Sequence, residues 1–230
     1  MPFDLGNLVA AIGSLGIAAY ALVDVSKIGR HGGVSNSGFS FIEAVVRRLF
    51  PNATRGSSAG AGVEGQLLGV LHGNWINGAP LGDQKAIAKS LIKLGLSPQT
   101  APVFARATGV DAQVLGNVAT GMTAGAALTP EQMNVLGRFD LVLTAMLDEG
   151  YQRADQKYRN TAKVWASVVA VVLAVLGGWT VAGSGEAYFF TTFMWQAVLC
   201  GVLATPLAPI SKDLASALTA GVKAAQALRK

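Results

Sequence analysis

Lys85, Lys89 and Lys93 stand four residues apart, and Ser14, Ser167, Thr180, Thr191, Thr192, Gln196 and Thr205 are polar residues inside long apolar runs. These side chains offer the most chemistry in the sequence. Lysines at this spacing share one helical face. Such a face is either solvated or set against anionic lipid headgroups, at about 1 kcal/mol per lysine near the surface. Polar residues within apolar runs either line a weakly selective pore or hydrogen-bond one helix to another. Catalytic patterns are missing. There is no His-x-x-x-His pair and no Gly-x-Ser-x-Gly elbow, and the Gly-rich stretch 55–66 lacks the Gly-Lys-Ser/Thr ending of a phosphate loop. One cysteine, Cys200, excludes an internal disulfide, and two histidines leave little for a metal. His31 reads as a loop residue near a membrane surface and His72 as a hydrogen-bonded structural residue. Residues 83–120 loosely suggest a helix-turn-helix, but the second helix offers only Arg106 as a basic contact, so no nucleic-acid partner is expected. No catalytic, cofactor or metal site is expected either.

The elements that must position these residues are mostly membrane spans. Of all residues 51% are hydrophobic and 13% charged, about half the charge of an ordinary soluble domain, and mean hydropathy is +0.44. The shortage is local: residues 5–23, 164–185 and 187–211 are free of charge and each is long enough to cross a hydrocarbon core as a helix. The first run reads as an anchor rather than a secretory signal, because the first cation, Lys27, lies beyond it. All 18 Lys and Arg residues fall between Lys27 and Lys163 or after position 211. The positive-inside rule therefore places residues 26–163 and the C-terminus in the cytoplasm, and the N-terminus and the short turn outside. Trp179, Tyr188, Phe189, Phe190, Phe193 and Trp195 mark the outer interface, and Trp165 the inner one.

Between the first two spans the pattern predicts helices over 41–50, 64–71, 84–94, 99–108 and 112–120, with Gly/Ser-rich loops over 26–38 and 51–62. For the helix over 84–94, Asp83 is the expected N-cap and Gly95 the C-cap, with Ile87, Leu91 and Leu94 as the apolar face opposite the lysines. Thr129-Pro130-Glu131-Gln132 reads as a capping box. It predicts one helix running from Pro130 into the second span, with a break near Gly150 as the alternative.

Small residues recur every fourth position in each span: Ala10, Ser14 and Ala18; Ala166, Ala170, Ala174 and Gly178; Ala197, Gly201 and Thr205. Such faces let membrane helices approach closely, within one subunit or between copies in a homo-oligomer. Ser14, Ala166, Ala170, Ala174, Gly178, Thr191, Gln196, Gly201 and Thr205 are accordingly the candidates for lining a pore or packing helices. Lys27, Arg30, His31, Lys85, Lys89, Lys93 and Lys212 are the candidates for lipid-headgroup contact. Pro206 and Pro209 should kink or end the third span, and Leu214, Leu218, Val222 and Ala225 give the chain beyond it one apolar helical face.

This layout resembles that of the energy-transducing inner-membrane proton-channel subunits related to the Tol and Exb systems. Those share an outside N-terminus, a large cytoplasmic segment between spans one and two, a short outside turn and a similar length. The resemblance implies subunits assembled around a central pore; it carries over no residue roles. The expectation is an all-α, integral membrane protein of the bacterial inner membrane. It comprises an N-terminal transmembrane helix over 1–25, a helical cytoplasmic domain over 26–163, a transmembrane hairpin over 164–211 and an amphipathic cytoplasmic helix over 212–230. Its expected function is a non-enzymatic, homo-oligomeric, stator-like pore or channel. The alternative is a non-conducting anchor or scaffold whose cytoplasmic domain docks a soluble protein partner.

Overall fold

The computed structural model describes residues 5–25, 33–51, 62–183 and 185–227. These are helical, with no strand among them: α1 (Leu5–Val25), α2 (Asn36–Leu49), α3 (Gly62–Ile76), α4 (Leu81–Leu94), α5 (Ala101–Thr108), α6 (Ala112–Ala124), α7 (Pro130–Val181) and α8 (Thr192–Ala227), with 3-10 turns at Gly33–Ser35 and Glu186–Phe190. Three helices, α1, α7 and α8, are long and apolar enough to cross a membrane. The described residues are thus all-helical, and their three candidate spans support a membrane protein. The chain divides into two compact units, Ser35–Tyr158 and a unit of Met1–Val34 with Arg159–Lys230, and α7 contributes residues to both.

The Ser35–Tyr158 unit is built around aromatic residues. Phe39 of α2, Phe50 just past its end, Phe104 of α5, and Phe139 and Tyr151 of α7 are buried with Leu67, Leu68 and Leu71 of α3. Each large apolar side chain removed from water contributes about 1.5–3 kcal/mol. Phe104 stacks on Phe139 at 5.9 Å and meets Phe50 edge-on at 5.0 Å. Trp75 donates its Nε1–H to the Ser35 carbonyl at 2.7 Å, which ties α3 to the start of α2. His72 pairs with Asn36 Oδ1 at 3.1 Å and lies edge-on to Phe39, a structural role.

Among the sequence-based boundaries that shift, two have a clear physical reason. α2 begins at Asn36, not Phe41, and takes in Gly38, which was assigned to a loop. A Cβ at Gly38 would collide with the Ala154 carbonyl and approach Trp75 to 3.0 Å, so this glycine permits a close helix crossing. α4 begins at Leu81 with Pro80 at the N-cap, leaving Asp83 in the first turn rather than capping. The buried face of α4 is Gln84, Ala88 and Ile92 rather than Ile87, Leu91 and Leu94; Leu91 is half-buried, and Ile87 and Leu94 are exposed. Other ends follow local chemistry. Asp111 caps α6 by accepting from the Val114 N–H at 2.8 Å, and Gly109 and Gly125 close α5 and α6 in the left-handed conformation. At the start of α7, Thr129 N–H donates to Gln132 Oε1 at 2.9 Å and Gln132 N–H to Thr129 Oγ1 at 3.3 Å, a reciprocal capping box.

In the other unit, α8 runs through Pro206 and Pro209 without ending. Each proline removes one backbone donor, but packing against α1 holds this stretch helical: Ala204 and Ala208 are buried, and Gly16 of α1 sits on the Ala204 carbonyl. The expected third span over 187–211 is also trimmed, because Glu186–Phe190 form a 3-10 turn before α8 starts at Thr192.

Candidate functional site

Charge comes together on α4 and α7, and both helices contribute to it within the Ser35–Tyr158 unit. The buried row Gln84, Ala88 and Ile92 puts Lys85, Lys89 and Lys93, each one residue further along, at the edge of the α4 contact face. From there they reach α7. Lys85 Nζ donates to Asp148 Oδ1 at 2.6 Å, Lys89 to Asp140 Oδ2 at 2.6 Å and Lys93 to Asp140 Oδ1 at 2.8 Å. The three lysines thus meet aspartates of the same unit, where the sequence suggested open solvent or lipid headgroups. Desolvation pushes the Asp140 carboxyl upward, but the hydrogen bonds and charges of Lys89 and Lys93 outweigh it and hold the carboxyl below its ordinary value. These side chains are roughly one-third exposed, so each pair is worth about 0–1 kcal/mol.

Beneath this ladder, Gln84 is buried and donates Nε2–H to the Ala79 carbonyl at 2.6 Å, while its Oε1 has no partner. Burial pushes the nearby Tyr151 phenol well above its ordinary value. Lys27, Arg30 and His31 lie outside the described residues. Lys212 falls within the backbone of α8.

The other candidate site is the interior of the span bundle. Ala166 and Ala170 of α7, Ala19 of α1 and Ala204 of α8 are fully buried together. At Gly201 of α8 a Cβ would lie 2.5 Å from Val171 Cα and 3.0 Å from the Ala170 carbonyl, so the two backbones touch here. This is the small-residue contact expected where membrane helices lack a hydrophobic drive. Thr205 is buried and bonded to Ser167 Oγ at 3.1 Å, one span to the next. Ala174 and Gly178 are half-buried, and Gly178 abuts the Tyr188 hydroxyl. Ser14 is exposed and returns its hydroxyl proton to the Ala10 carbonyl at 2.7 Å. The packed face of α1 is Gly13, Gly16, Ala19 and Val23, adjacent to the Ala10–Ser14–Ala18 row. Thr191 lies in the turn before α8 and donates to the Tyr188 carbonyl at 2.7 Å. Gln196 is exposed.

The residues missed by sequence reasoning are Asp140 and Asp148, more than forty positions from their lysines, and Gly16. The only available signal for the aspartates was their spacing of eight on α7, twice the lysine spacing. Among the described residues, no cluster of three or more His, Cys, Asp or Glu side chains is placed to hold a metal ion. Comparison with protein-family models, with curated proteins and with solved structures finds no match.

Proposed function

We propose that this protein is a non-enzymatic membrane anchor or scaffold, with the Ser35–Tyr158 unit displayed in the cytoplasm to dock a soluble protein. The observation that carries this reading is the use of the small and polar span residues inside one chain. Gly16 meets Ala204, Gly201 meets Val171, and Ser167 meets Thr205. Groups already used this way hold helices together and offer little lining for a conduit. The Ser35–Tyr158 unit has its own aromatic core and exposes Leu94, Met122, Met133 and Leu141, apolar side chains of the type that protein partners bury. The positive-inside distribution of Lys and Arg supports its cytoplasmic placement.

The homo-oligomeric, stator-like pore remains the second reading. It draws on Gln196, a polar side chain exposed on a candidate span where a second copy would meet it.

Ion and small-dye flux through liposomes containing the inserted, folded protein separates the two. The scaffold predicts flux equal to that of protein-free liposomes. Flux that falls when Gln196 or Thr205 is replaced by Leu would overturn the scaffold in favour of the pore.

A further inference from the structure

We draw no further inference here: the strongest candidate, the exposed apolar surface of α4 and α7 in the Ser35–Tyr158 unit (Ile87, Leu94, Met133 and Leu141), carries no proposal because nothing in the structure shows what covers it.

Discussion

Gly201→Ala adds one methyl where α8 crosses α7, and its cost follows from the geometry. The new Cβ would lie 2.5 Å from Val171 Cα and 2.8 Å from Val171 N. Carbon atoms pack best at about 3.5–4.0 Å, so the helices must separate by roughly 1 Å at the crossing. The obstacle is backbone, so no side-chain rotation relieves it. Overpacking of this kind costs about 1–3 kcal/mol, offset by at most about 1 kcal/mol from the better helix propensity of alanine. The expected net loss is about 1–2 kcal/mol, a roughly 5- to 30-fold fall in the folded-to-unfolded ratio. Gly177→Ala is the matched control, because nothing lies within 4 Å of its Cβ position; it should be neutral or slightly stabilising. The assay is unfolding of the full chain by SDS titration in mixed micelles. Truncating Val171 to Ala should not rescue Gly201→Ala, since the clash is with the main chain. The reasoning fails if Gly201→Ala matches wild type, if Gly177→Ala is equally harmful, or if Val171→Ala restores stability.

Gly150→Ala should behave in the opposite way under rescue. Its Cβ would lie 2.8 Å from Val45 Cγ2, a side-chain atom, so Val45→Ala should recover about 1 kcal/mol of the loss in a double-mutant cycle. Asp140→Asn tests the lysine ladder by pH. Because the folded carboxyl titrates below its unfolded value near 3.9, its stabilisation is present above about pH 4 and is lost as pH falls through the lower folded value. The wild-type advantage over Asp140→Asn, about 1 kcal/mol at neutral pH and low salt, should therefore vanish in that acid range and shrink in high salt. Denaturation curves across pH read both effects. Ser167→Ala combined with Thr205→Val should give a coupling of about 0.6 kcal/mol in a bilayer-mimetic unfolding cycle; additive losses would show that the Ser167–Thr205 bond contributes nothing.

The spans were legible because charge is excluded from them, and the capping box at Thr129 and Gln132 was legible because its residues are adjacent in sequence. The α4 face was not. Its buried row includes Gln84, a polar residue that hydrophobic periodicity assigns to solvent, so Ile87 and Leu94 drew the face to the wrong side. Gly38 misled for a related reason. Glycine breaks helices when nothing else acts on it, yet here contact with the Ala154 carbonyl demands a residue without Cβ inside one. In α1, counting small residues at every fourth position selected Ser14, whereas the contact face steps by three from Gly13 to Gly16 to Ala19. The faces differ by about one residue's rotation, and only the partner helix decides between them.

The ladder between α4 and α7 has a repeat shorter than the distance between its anchors. Lysines recur every four residues and aspartates eight apart, so sliding α4 by one turn, about 5.4 Å, would bring Lys89 to Asp148 and leave Lys93 within reach of Asp140. Both aspartates would stay neutralised and only Lys85 would lose its mate. Electrostatics alone therefore allows two nearly equivalent alignments, separated by about one exposed pair. What distinguishes them is aperiodic: Phe50 lies against Gly95 just past the end of α4, and Tyr151 of α7 donates its hydroxyl to the Gln84 carbonyl at 3.4 Å. Those contacts and the buried packing of Ala88 and Ile92, rather than the charges, distinguish the two alignments.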